Sequence, residues 1–232
     1  RPTLLYAMVN FSSPIYSPAS FDEVGDFLGL AQGTGPFRLV EHTPQLSLLL
    51  AANDNYYGEK AKADLVRVRT IPDPDTRLSA LNAEEIMGVL DLGAIPPEQA
   101  TELIKDDRFA LSATPSTISH YLHANGKSGP FEDRRLREAV SLAIDRSAIV
   151  NLYRGYPVAT ANILNATSPF YKAVPLVHDP VRAAELAKAA LGNALQPARL
   201  IVPTYGLSRY PYKAQAELIQ HVLRPLGFDV TI

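Results

Sequence analysis

The feature that most limits how this chain can fold is the apolar spacing between residues 136 and 144. Leu136, Ala139, Val140, Ala143 and Ile144 fall at i, i+3, i+4, i+7 and i+8, the period that places them on one face of a helix. Arg134, Arg135, Arg137, Glu138 and Ser141 take the opposite face, toward water. Asp145 offers a side-chain cap for a second short helix whose Ile149 and Val150 turn inward. Upstream, the run from His123 begins as a strand and crosses a Gly-rich turn. On physics alone, a strand feeds a helix here.

The remaining chain carries its own punctuation. Residues 2–11 read as a short helix with Leu4, Leu5, Met8 and Val9 on one side, and a second short helix falls near Phe21–Leu28. Ser20 would cap that helix, with Glu23 at the capping-box spacing. Gly33 and Gly35 punctuate a turn, Pro36 starts a strand, and Phe37–Glu41 and Leu46–Ala51 read as a hairpin. These glycines fail the dinucleotide fingerprint, because Arg38 stands at the third glycine position and a strand follows. They are structural, suited to turns of positive φ.

Leu65, Val66, Val68 and Ile71 read as a mostly buried strand, with Arg67 and Arg69 on its other face. Asp73 then caps a helix with Pro74 at its first position and Asp75 on the positive end of its dipole. Capping accounts for both aspartates without an acid/base pair or a metal. Residues 86–92 read as a strand, followed by a turn and a helix from about Pro97. Two more strands are expected at Phe109–Ser112 and Ile118–Ala124. Further on, Asp179 caps a helix, Pro180 occupies its first turn, Leu186 and Leu191 face inward and Gly192 ends it. Arg199–Thr204 reads as a strand, Leu207–Leu226 as mostly a long helix and Phe228–Ile232 as a strand. That βαβ order predicts a parallel pair with a right-handed crossover.

The densest polar-aromatic cluster is SHYLHAN. In an extended strand Tyr121, His123 and Asn125 point one way while His120 and Leu122 point the other. His120 and His123 therefore lie on opposite faces, which argues against an H-x-x-H metal site.

Net charge is −2, so no basic field recruits nucleic acid or anionic lipid. The chain has no cysteine, which excludes disulfides and thiolate metal sites. A composition of 47% hydrophobic and 20% charged residues is that of a globular chain rather than a disordered one. No apolar run reaches the length of a membrane span, and RPTLLYAMVNF lacks the order of a signal peptide. Any export signal is expected upstream, and both ends read as cut from something longer.

Six segments in collinear order, GTGPFRLVE, NDNYYGE, IPDPDTRLSAL, NGKSGPFEDRRLREAVSLAIDR, HDPVRAAELAKAAL and LRPLGFDVTI, resemble the large bacterial solute-binding proteins of ABC importers, family 5. These are the oligopeptide, dipeptide and nickel carriers. The resemblance implies an α/β, two-lobed fold of the periplasmic-binding-protein type (type II, the large peptide-binding class), of which this chain is an incomplete fragment. Residues 1–32 would be the tail of the extra small domain and a connection, 33–124 part of the first lobe, and 125–232 the first half of the second. It also implies a ligand cleft with Leu92, Gly93 and Ala94 at its wall. Tyr121 and His123 would face the ligand, with Asn125 on the same side. Asn162, Asn165, Phe170 and Tyr171 are further candidates at the lip of the second lobe, by position.

The function implied is capture of a peptide or peptide-like solute by hinge closure and delivery to an inner-membrane ABC permease. The carrier would act as a monomer, periplasmic or lipid-anchored, with no catalytic residues, no metal, no cofactor and no nucleic acid. FSSPIYSP stands where nickel carriers would place an arginine, which favours peptide cargo over a nickel chelate; sugars and opine-like compounds stay open. Two readings from other classes are the ligand-sensing domain of a transcription regulator and an enzyme. No G-x-S-x-G, H-E-x-x-H, Walker A or Cys-His arrangement is present, and the best enzymatic residues would be His123 with Asp91 or Tyr121.

Overall fold

A computed structural model describes residues 15–28, 33–90, 94–114 and 116–232, together with Leu4 and Met8. Contacts divide the chain into two compact units, Arg1–Pro72 and Asp73–Ile232. Of the helix expected over 2–11, Leu4 and Met8 are helical, while Leu5 and Val9 lie outside the described residues.

The first unit is built on an antiparallel sheet of β1 (Phe37–Thr43), β2 (Ser47–Ala52) and β3 (Leu65–Arg69), with β2 in the middle. The hairpin turn uses Pro44 for its fixed φ and Gln45 at φ 62°, closed by the Leu46 amide on the Thr43 carbonyl at 3.0 Å. The register moves from Leu39 opposite Leu50 to Glu41 opposite Leu49, so Val40 is the extra residue of a bulge. Asn53 closes the sheet, its side-chain amide donating to the Gly35 carbonyl and its backbone amide to that of Pro36, both at 2.9 Å. In the NYYG run the Tyr56 ring folds over Gly58, where an added Cβ would come within 2.7 Å of it.

Two expectations fail in this unit. β3 is not mostly buried: Leu65 and Val68 are exposed, and among the described residues β3 pairs with β2 alone. Residues 21–28 form no helix. Phe21 and Phe27 make an antiparallel bridge around a turn in which Asp22 Oδ1 accepts the Val24 and Asp26 amides at 3.1 and 2.7 Å. The aspartate side chain offers the backbone a turn in place of a helix. Ser17, not Ser20, caps the neighbouring 3₁₀ turn, and Ser20 is fully buried.

The second unit begins with α1 (Pro74–Asn82), capped as expected, Asp73 Oδ1 accepting both the amide and the hydroxyl of Thr76 at 2.7 Å. α2 (Pro97–Leu103) follows. Between them residues 86–90 form no strand, and Met87 and Leu90 are almost fully solvent-exposed. The expected strands at 109–112 and 118–124 are also absent, since neither finds a ladder partner among the described residues.

The periodic run forms α3 (Arg134–Ala143), and Asp145 caps α4 (Arg146–Leu152) through the Ser147 amide at 2.8 Å. α5 (Pro180–Leu191) is followed by β4 (Gln196–Arg199), α6 (Tyr212–Leu223) and β5 (Phe228–Thr231), and β4 pairs parallel with β5. β4 begins and ends earlier than expected. Its last bond runs from the Leu200 amide to the Thr231 carbonyl at 2.8 Å. α6 starts at Tyr212 rather than Leu207 because Pro211 disfavours helical geometry in the residue before it.

The core of this unit is α3 against α5, with α6 and β5. Ala139 and Ala183 are wholly inaccessible, so the two helices meet over small side chains; Leu136, Val140, Leu186 and Ile219 fill the space around them. Phe228 of β5 stacks on Phe131 with centroids 5.4 Å apart. The start of α5 is pinned twice. The Asp179 amide donates to the Leu142 carbonyl at 2.9 Å, and its carboxylate accepts the Arg182 amide at 2.8 Å. Asp179→Ala removes only the second bond and is expected to cost about 0.5–2 kcal/mol. A urea titration checks this, and an unchanged midpoint would contradict it. No helix among the described residues is long and apolar enough to cross a membrane.

Candidate functional site

The stretch 116–125 is neither helix nor strand, so side chains rather than a ladder hold it. The alternation expected of an extended backbone is present. Tyr121 and His123 stand side by side, ring centroids 5.7 Å apart, while His120 points away into a group of tyrosines. The Tyr121 hydroxyl donates to the Ile163 carbonyl, and the Asn165 amide donates to the Ser116 carbonyl and Ser119 hydroxyl, both at 3.3 Å. The loop after α4 is thereby sewn to this stretch. Tyr121 and His123 remain exposed, offering a phenol face and an imidazole.

The other sequence candidates divide. Asn125 works as a turn residue, its Oδ1 accepting the Lys127 amide at 3.0 Å and its Nδ2 donating to Ser128 Oγ at 2.7 Å. Ala94 is buried, and its carbonyl accepts the Arg77 guanidinium from Nε at 3.0 Å and Nη2 at 2.6 Å. Leu92 and Gly93 lie outside the described residues, as does Asp91. Asn162 ties its own loop, donating to the Lys172 carbonyl at 2.9 Å, whereas Phe170 is largely exposed.

Behind the stretch sits a group the sequence reading did not assemble: Tyr153, Tyr210, Tyr212 and Gln215 around His120. Tyr153 is buried, which pushes its hydroxyl well above the ordinary tyrosine range, with Tyr212 and Tyr210 adding to the effect. Desolvation pushes the His120 imidazole below its ordinary 6.5. The only sequence hint was the Tyr-Pro-Tyr spacing at 210–212, just ahead of a helix. Among the described residues no three His, Asp or Glu side chains gather as a metal site. What the arrangement presents is aromatic surface with a few hydrogen-bonding groups.

The model of the bacterial extracellular solute-binding proteins, family 5, matches residues 1–232. The chain belongs to that family. It is 31% identical over 178 residues to the glutathione-binding protein GsiB of Pectobacterium atrosepticum, covering 75% of this chain and 34% of that protein. Among solved structures it resembles NikA from Brucella suis in complex with Fe(III)-EDTA, at TM-score 0.79 and 26% identity over 93% of this chain and 46% of the other. It also resembles the periplasmic binding protein DppA from Helicobacter pylori in complex with the peptide STSA, at TM-score 0.67 and 28% identity over 86% and 38%. The chain thus spans well under two thirds of these relatives' length, and shares the α/β family 5 fold over that span.

Proposed function

We propose that this chain is part of the extracytoplasmic solute-binding component of an ABC importer. It captures a peptide or peptide-like small solute between two lobes and hands it to an inner-membrane permease. The observation that carries the reading is the family model matching the whole chain, with the six collinear segments inside it. Peptide-like cargo is supported by the relatives named for glutathione and bound to a tetrapeptide. In this reading residues 33–124 contribute to the first lobe and 125–232 to the second. Tyr121 and His123 face the cleft near the crossing with Asn125 on the same side, and Leu92, Gly93 and Ala94 belong to its wall. Hinge closure does the work, solute affinity offsetting the cost of the closed state, and no bond is made or broken. The carrier acts as a monomer in the periplasm, free or lipid-anchored, with no nucleic acid. A metal-chelate cargo is the second reading, favoured by the likeness to NikA.

Mass spectrometry of the full-length gene product, native against denatured, is expected to release a small molecule near one per chain. A thermal-shift panel of peptides, glutathione, nickel chelates and sugars extends the test. Cargo at a hundred times its Kd should add about 2.7 kcal/mol of stability. No released molecule and no shift with any class would overturn the reading.

A further inference from the structure

His120 meets Tyr153 just past α4, Tyr210 ahead of α6 and Tyr212 in the first turn of α6, all edge-on, with centroids 5.7, 4.9 and 5.2 Å away. The polar atoms of this box form one directed chain. The Tyr153 hydroxyl donates to Gln215 Oε1 at 2.8 Å, leaving its oxygen to accept from His120 Nδ1 at 3.1 Å. Nε2 then carries the lone pair and faces the Tyr212 hydroxyl at 3.5 Å. A neutral imidazole with its proton on Nδ1 satisfies every group in the chain. Gly206 makes room for it: an added Cβ there would press on the Tyr212 ring, 3.1 Å from Cδ2 and 3.3 Å from Cζ. Since 116–125 has no ladder bonds, the box on one side and the Ile163 and Asn165 contacts on the other are what hold it.

We propose that His120 is a positioning residue for solute capture: its box with Tyr153, Tyr210 and Tyr212 sets residues 116–125 so that Tyr121 and His123 project together toward the solute. This rests on the carrier reading above. The groups facing the ring are three phenols and the Gln215 amide, none charged near neutrality. His120 is therefore the member of the box that changes charge in the physiological range. Its folded pKa lies below the ordinary 6.5, so the unfolded chain takes up the proton first. The contribution of the box to folding stability is full above about pH 6.5 and declines as pH falls through that value toward the folded pKa.

The test uses the full-length gene product, with glutathione and the peptide STSA as probes in calorimetric titrations, and long-range ¹H–¹⁵N correlation of the imidazole. We expect the Nδ1–H tautomer, and about tenfold weaker probe binding in both His120→Ala and Gly206→Ala. His120→Asn keeps a donor for Tyr153 but cannot gain charge. It should recover part of the affinity lost in His120→Ala. Gly206→Ala leaves His120 in place, so it separates a displaced box from a missing side chain. Unchanged affinity in both alanine variants, an Nε2–H tautomer, or an affinity in His120→Asn no better than in His120→Ala would overturn the proposal. If the wild type binds neither probe, the peptide-carrier reading falls, and the tautomer still decides whether the box exists.

Discussion

Phe228→Ala should be among the most damaging single substitutions in this protein, costing about 3–5 kcal/mol of stability. Phe228 is 1% exposed, the largest of the fully buried side chains among the described residues. It stacks on Phe131 at an interplanar angle of 19° and belongs to the cluster built from α3, α5 and α6. Truncation removes its transfer free energy and leaves a cavity that the packed neighbours of the cluster cannot fill by a local shift. A domain holds roughly 5–15 kcal/mol in total, so the variant would sit near its unfolding threshold. Urea unfolding of the full-length gene product reads the effect, and Phe228→Leu, which restores part of the lost apolar volume, should recover part of it. A loss below about 1 kcal/mol for the alanine variant would show that the cluster repacks and the argument is wrong.

Leu136→Ala should cost about 2–5 kcal/mol by the same physics in the same core cluster. Leu136 is 2% exposed, on the first turn of α3, where the helix lies over the alanines of α5. Helix propensity opposes the loss slightly, since alanine is the better helix former, by a few tenths of a kcal/mol. The cavity term therefore decides the sign. Loss of stability with retained helicity, read by circular dichroism below the transition, is the expected pair of results. A stabilised variant would mean that propensity outweighs packing here and that the α3–α5 contact is looser than described.

Local rules made much of the fold legible. Asp73, Asp145 and Asp179 each cap the helix expected of them, because capping is a contact within three residues and needs nothing from the rest of the chain. The buried face of α3 was equally readable, since five apolar residues at helical spacing leave one way to bury them. The hairpin and the parallel β4–β5 pair followed from turn residues and element order. Strands without such markers were misread. Residues 86–90, 109–112 and 118–124 have strand-like composition, but a strand exists only where a partner supplies its ladder. At 21–28 a side-chain turn at Asp22 won over a capping-box pattern.

The candidate site shows the same division. The opposed faces of His120 and of the Tyr121–His123 pair were legible, because alternation is a property of the extended backbone alone. That His120 is boxed by Tyr153, Tyr210 and Tyr212 was not, since the partners come from positions 33 to 92 residues away. Ala94 was expected at a cleft wall, and the structure adds that its carbonyl is held by Arg77.

By itself the sequence determined the helices that Asp73, Asp145 and Asp179 cap, the buried face of α3, the family and the opposed faces of His120 and the Tyr121–His123 pair, all of which rest on contacts within a few residues or on collinear motifs. Only the tertiary structure decided which extended segments become strands and what surrounds His120. A ladder or a box needs two stretches of chain brought together, and short-range spacing carries no record of the second.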